Sequence, residues 1–389
     1  MTKGNIISGV NPQILKWARE KSGYSRQEVA DIFGKDVLVI QDWEEGNQPL
    51  TYSQLEKLAY QVYKRPVAVF FFPIPPKEDD PKKSFRTMPD FEIENLSHDS
   101  ILAIREARAM QISLKELHEG EDISAKQFLN EIRITKESDL KKAAQITRKY
   151  LGVEIEGQMK WKSKDDPLKK WRDAVQEAGV YIFRRPMSQT EVSGFCLTDL
   201  EFPIIYLNSS TSSGRQVFTI FHELAHILLG TNGLTKKNDQ YIDHLTGDNR
   251  KIEVFCNRFA AELLVPNEVF LHEIRNKEIT EPKIEALSKL FKVSREVILR
   301  RYLDNGFISR DHYSAWADNW HKEYQDHKAE KGGRGSYYIN QASYLGDKYI
   351  NLALNRYRRG LCSVEQLASY LNVKTKNLNK FESAFLGGK

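Results

Sequence analysis

The residues of this 389-residue sequence best placed to do chemistry are His222-Glu223-Leu224-Ala225-His226. Four residues turn an α-helix by about 400°, so His222 and His226 project from one face roughly 40° apart. Two imidazole nitrogens so placed can share one Zn²⁺ at about 2.0–2.1 Å. Glu223 lies about 100° around the helix axis, on the flank of that face. From there it reaches a water on the metal rather than the metal itself, which is the place of a general base.

A pair of histidines needs a third ligand. A metzincin would place glycine three residues after the second histidine and a third histidine six after, but Leu229 and Asn232 stand there, so that class is excluded. A gluzincin takes a glutamate from a later helix. Glu253 opens such a helix, and Asn257 shares its face four residues on. Glu253 then completes a two-histidine, one-glutamate set with the fourth position left to water, and Asn257 hydrogen-bonds a ligand histidine from behind. Cys256, beside them, reads as a small core residue, and His244 is the next candidate for third ligand. Tyr241 and His244, between the two helices, are candidates to stabilise an oxyanion, although residues of these types in a loop ordinarily have no such role. Burying two histidines and a glutamate on one apolar helix is costly without a metal, which favours the metal reading over an ordinary core.

Two helices must carry this set. Arg215–Leu229 reads as one buried helix and Ile252–Leu264, stopped by Pro266, as the other. Upstream, three β-like runs lead in: Gly179–Phe183, Val192–Leu197 and Phe202–Asn208. Residues 97–151 and everything from Ile284 onward have helical periodicity, broken at Gly332-Gly333-Arg334-Gly335. Residues 11–63 read as a bundle of short helices. Ser25 with Glu28 makes a capping box and Gly34 a stop, a third helix ends at Gly46, and a fourth spans Tyr52–Tyr63. Pro73-Ile-Pro-Pro76 and the charged stretch to Lys83 read as a linker. The expected class is α+β, mainly helical: a zincin-like core with a small β-sheet, flanked by an N-terminal helix-turn-helix bundle and a C-terminal helical region. The expected boundaries are 1–75, a linker at 76–97, a peptidase domain at 98–305 and a basic C-terminal region at 306–389.

Composition limits the alternatives. Apolar residues make up 40% and charged residues 29%, the profile of a globular chain. Apolar runs such as Val67–Phe72 and Ile220–Leu229 fall short of the ~20 residues a membrane span needs. No signal-peptide core follows the first lysine. Three widely spaced cysteines, Cys196, Cys256 and Cys362, do not make a disulfide framework. A cytoplasmic protein without a membrane partner is expected. The formal net charge is +5, and Lys331–Lys389 alone holds ten Lys/Arg against three Asp/Glu. That segment can attract nucleic acid or an acidic partner, or be an ordinary solvated face.

Phe218-Thr-Ile-Phe-His222-Glu-Leu-Ala-His226-Ile-Leu-Leu-Gly230, followed by Glu253-Val-Phe-Cys-Asn257-Arg-Phe-Ala-Ala-Glu-Leu-Leu-Val-Pro266, resembles the ImmA/IrrE family of metallopeptidases. The runs Val192-Ser-Gly-Phe, Phe202–Asn208 and Val293-Ser-Arg-Glu are similar to the same family, so the likeness spans roughly residues 180–305. It implies a zincin fold and cleavage of a helix-turn-helix repressor in response to stress or a mobile element. Phe255 departs from the pattern, since relatives commonly carry an acid there. Residues 11–63 resemble the phage-repressor (XRE type) helix-turn-helix, through Ser25-Arg-Gln-Glu-Val-Ala and Trp43-Glu-Glu-Gly46. With Arg65–Phe72 and Phe85-Arg86 they look like a subgroup in which that module is fused to the peptidase.

Base readout needs Arg, Lys, Asn or Gln at the start of a recognition helix. Asp36, Val37, Leu38 and Val39 stand there, with only Lys35 and Gln41 nearby, so protein recognition is favoured over specific DNA binding, and any nucleic-acid contact should be weak or nonspecific. The leading expectation is zinc-dependent peptide hydrolysis of a repressor protein, with substrate added to the strand near Phe202–Asn208. The rival is a DNA- or protein-binding regulator, or the antitoxin of a toxin partner, with a non-catalytic zinc. The intact Glu223 argues against the rival, because a structural zinc needs no base beside it.

Overall fold

The computed structural model describes residues 5–77, 96–120, 132, 134–162, 166–187, 192–236, 239–274, 279–330 and 336–387. Most of the expected linker, Phe85-Arg86 and the Gly332–Gly335 break lie outside them. The chain divides into two compact units, Met1–Ser84 with Asp90–Glu106, and Phe85–Pro89 with Ala107–Lys389.

In the first unit, α1 (Pro12–Lys21) is capped by the Asn11 side chain and opens on proline, a residue suited to a first helical position. The Ser25–Glu28 capping box starts α2 (Arg26–Phe33), and Gly34 ends it at φ 58°. Asp36 caps α3 (Val37–Glu45), and Gly46 stops it at φ 80°. The expected fourth helix begins as α4 (Tyr52–Glu56) and continues as a π-helical stretch, Lys57–Val62. A 3-10 turn, Val67–Phe71, follows. Ile14, Val29, Ile40, Trp43, Leu55 and Phe70 are among the residues of its core. Glu44 is buried and paired with Arg19 at 2.5 Å and Arg26 at 2.8 Å. On α3, Leu38 is 62% exposed, and Gln41 is bonded to Glu45.

Helix α5 (His98–Leu117) is divided between the units after Glu106. The second unit continues with α6 (Leu140–Leu151), α7 (Ile155–Met159) and α8 (Pro167–Glu177). Then come β1 (Tyr181–Arg185), β2 (Val192–Leu197), β3 (Ile204–Asn208), α9 (Ser213–Leu228) and the short β4 (Leu234–Lys236). After a 3-10 turn, Asp239–His244, the chain forms α10 (Gly247–Leu264), α11 (Asn267–Glu273), α12 (Glu281–Phe291) and α13 (Arg295–Asp304). The last helices are α14 (Arg310–Glu330), α15 (Tyr337–Leu345), α16 (Asp347–Arg358), α17 (Val364–Tyr370) and α18 (Leu378–Gly387).

The strands form one mixed sheet in the order β1-β3-β2-β4, with β1 parallel to β3 and the other pairs antiparallel. β3 is therefore interior, paired on both sides, and cannot take an added substrate strand. That expectation is corrected: strand order is a long-range property that the alternation along one strand does not encode. Helix α9 lies against the sheet at Gly194, where a Cβ would come 2.6 Å from Thr219 Cγ2 and 2.9 Å from the Tyr206 carbonyl. Every residue of α9 from Arg215 to Leu228 is buried, its polar side chains Arg215, Gln216, Thr219, His222, Glu223 and His226 included.

Arg172 of α8 is fully buried, and burial pushes its guanidinium down to about 9. It donates to the Ile182 carbonyl of β1 at 2.6 and 3.1 Å. It also donates to the Ser343 and Tyr344 carbonyls of α15 at 2.6 and 3.1 Å.

Candidate metal centre

Helices α9 and α10 pack against each other and turn His222, His226 and Glu253 into one buried point. His222 Nε2 stands 3.2 Å from His226 Nε2 and 3.2 Å from Glu253 Oε2. His226 Nε2 stands 3.3 Å from Glu253 Oε1. Ligand atoms at 2.0–2.1 Å from a tetrahedral Zn²⁺ lie about 3.3 Å apart along the tetrahedron's edges, which is the spacing of the two imidazole nitrogens from each other and of each nitrogen from one Glu253 oxygen. Glu253 is 0% exposed, and its Oε1 has no hydrogen-bond partner. A buried unsatisfied carboxylate oxygen is costly, and a cation relieves it. The donor set therefore fits a zinc ion.

The far side of each imidazole is fixed. His222 Nδ1 is 3.0 Å from Asn257 Oδ1, which can only accept, so Nδ1 carries the hydrogen and Nε2 presents its lone pair. His226 Nδ1 is 3.2 Å from Thr231 Oγ1, whose own hydroxyl donates to the His226 carbonyl at 3.3 Å. Thr231 thus serves His226 as Asn257 serves His222. The Tyr241 hydroxyl donates to Glu253 Oε2 at 2.7 Å. The structure gives Tyr241 a bond to the glutamate, while His244 is exposed.

Glu223 is 0% exposed. Its Oε1 accepts from the Thr235 hydroxyl of β4, and its Oε2 has no partner. That leaves one carboxylate oxygen available to take a proton. A Cβ on Gly233 would come 2.4 Å from His226 Cδ2 and 2.5 Å from Glu223 Oε2, so the lead into β4 closes directly over Glu223 and His226.

Sequence reasoning missed Thr231, Gly233 and Thr235. The Gly-x-Thr spacing just after α9 was their only trace, because a turn and a short strand bring them in from outside the helix periodicity. Cys256 is nearer than the sequence implied: its thiol lies within 4.8 Å of the His222 and His226 ring nitrogens and forms a second possible triad with them. Phe255 faces the core, stacked on Phe259 with ring centres 6.3 Å apart.

Residues 175–303 match the family model described as the IrrE N-terminal-like domain, a peptidase family. Residues 15–59 match the model described as helix-turn-helix. The helix-turn-helix segment precedes the peptidase-like segment along the chain. No curated protein matches the sequence at a significant level. Among the described residues, no helix is long and apolar enough to cross a membrane.

Proposed function

We propose that this chain is a zinc-dependent endopeptidase of the gluzincin type that cleaves a helix-turn-helix repressor protein. The observation that carries the reading is Glu223: a buried carboxylate beside the His222–His226–Glu253 triad, steadied on one oxygen by Thr235 and unpartnered on the other. A purely structural metal site gains nothing from a buried, half-satisfied carboxylate at its edge. The peptidase family match supports the reaction class.

His222, His226 and Glu253 would hold the ion, with Asn257, Thr231 and Tyr241 orienting them. When bound, zinc supplies Lewis-acid polarisation of the scissile carbonyl and makes water acidic enough to attack near neutral pH. Glu223 takes the proton from the attacking water at its unpartnered oxygen and delivers it to the leaving amine. Thr235 holds that carboxylate in one rotamer. Among the described residues β4 pairs only with β2, so β4 has the unpaired edge beside Glu223, and an extended substrate segment pairs there rather than on β3.

The boundaries we propose are a repressor-like module over 1–75, a linker over 76–97, a peptidase domain over 98–305 and a basic helical region over 306–389. The first module serves to recognise a partner protein, since α3 offers an exposed leucine and a glutamine already engaged within the helix.

The test is Glu223→Gln. It should keep zinc and fold while losing at least about a hundredfold in cleavage of a repressor, since general acid–base catalysis is worth ~10²–10⁴-fold. The host strain supplies substrate and trigger together. If a Glu223→Gln strain behaves like wild type there while a deletion strain does not, the protein acts as a regulator or antitoxin whose zinc is non-catalytic.

A further inference from the structure

A cavity lies against α10 beside the metal centre. It encloses about 690 Å³, within the roughly 300–1,000 Å³ range of small-molecule sites. None of His222, Glu223, His226 or Glu253 lines it; Asn257 is its contact with the metal centre. One wall is α14, which begins at Arg310, beyond the residues matched by the peptidase family model. The pocket is therefore built partly from the region that the peptidase module does not account for.

Its charge is lopsided. Arg215, Arg250, Lys251, Arg258, Arg300 and Arg310 line it, against Glu296, Asp304 and Asp318. Glu296, on its floor, is already compensated by Arg215 at 2.8 Å, by His321 at 3.3 Å and by the Tyr313 hydroxyl at 3.1 Å. Burial pushes its carboxyl up, but Arg215, His321 and Arg300 outweigh that and hold it well below the usual carboxylate range. Asp304 also lies 3.5 Å from Arg301, outside the lining, and Lys251 lies 3.9 Å from Asp248. The lining thus holds six Lys/Arg against three Asp/Glu around a concave space. Converging guanidinium groups are suited to bidentate binding of oxyanions.

We propose that this cavity binds a small anion carrying at least two negative charges, of the phosphate or polycarboxylate class. It is a site of its own, and the proposal does not depend on the peptidase reading. α10 connects the two sites physically: Arg250, Lys251, Val254, Asn257 and Arg258 face the cavity while Glu253 faces the metal.

The experiment is calorimetric titration of the purified full chain with pyrophosphate and, separately, with citrate, at about 0.15 M salt so that diffuse surface attraction is screened. Saturable binding of one anion per chain is expected for at least one of the two, and which one binds assigns the phosphate or the carboxylate chemistry. Arg250→Glu with Arg258→Glu should weaken it at least tenfold. Ala317→Trp, which fills the cavity without altering charge, should weaken it as well. Arg358→Glu with Arg359→Glu, the same change of charge on α16, should leave it unchanged. The proposal is overturned if neither anion binds, if both cavity variants bind as wild type does, or if the α16 variant loses binding equally.

Discussion

Replacing Asn257 with alanine removes the acceptor that holds the His222 ring from behind. The bond is 3.0 Å long and Asn257 is 4% exposed, so bulk water does not readily take its place. Loss of such an outer partner ordinarily costs 10–100-fold in metal affinity, which is about 1.4–2.8 kcal/mol at 1.4 kcal/mol per decade. The figure should fall toward the upper end, because the alanine variant also leaves a buried imidazole N–H unsatisfied. The assay is competition for zinc against a chromophoric chelator at fixed pH. Asn257→Asp, which keeps an acceptor at the same reach, should hold zinc at least as well as wild type. If Asn257→Ala binds zinc within about threefold of wild type, Asn257 does not orient His222, and the ligand geometry argued from the spacing of the donors loses its support.

Glu253→Ala should lose zinc by orders of magnitude whereas Cys256→Ala should keep it; the reverse outcome, read by the same competition, would make Cys256 the third ligand. Gly233→Ala should destabilise the fold by about 1–3 kcal/mol through overpacking against His226 and Glu223, visible as a lower urea midpoint, and an unchanged midpoint would contradict the close approach. Glu296 is held below the usual carboxylate range in the fold, so the stability it contributes is complete above its unfolded value near 4.3 and is lost as pH falls through the lower folded one. The gap in urea midpoint between wild type and Glu296→Gln should accordingly narrow from pH 7 to pH 3; a gap that does not change would refute the depressed carboxyl. The N-terminal module should bind specific DNA poorly, and a footprint on one defined operator that disappears when residues 1–75 are deleted would count against that.

What was legible in the sequence was what helix periodicity encodes. His222 and His226 are four apart, Glu253 and Asn257 are four apart, and each pair shares a face for that reason alone; both helices also lie where the apolar pattern put them, with ends two to five residues longer at the N-terminal side. The strands Val192–Leu197 and Ile204–Asn208 were readable as strands, but their order was not, which is why β3 was given an edge it does not have. Thr231, Gly233 and Thr235 reach the site through a turn and a three-residue strand too short to carry a pattern. Trp43-Glu44 was recognisable as a motif, yet the reason for the glutamate, its buried pairing with Arg19 and Arg26, appears only when α1, α2 and α3 are assembled.

Arg172 has a consequence for how this protein can be divided. Its guanidinium joins α8 and β1, inside the matched peptidase segment or at its border, to two backbone carbonyls of α15, more than 150 residues later in the chain. Gly346, at φ 85°, packs so closely on that guanidinium that a Cβ would sit 2.5 Å from it, and Tyr349 meets Phe183 of β1 edge-on with ring centres 5.2 Å apart. The C-terminal helices thus supply part of the packing around the first strand. Recombination that exchanged this region between relatives as a cassette would put at risk the placement of two of the three carbonyls that accept from a buried cation, so the two segments are bound to change together, and a chain shortened near residue 331 reports on the integrity of the fold before it reports on any role of the basic segment.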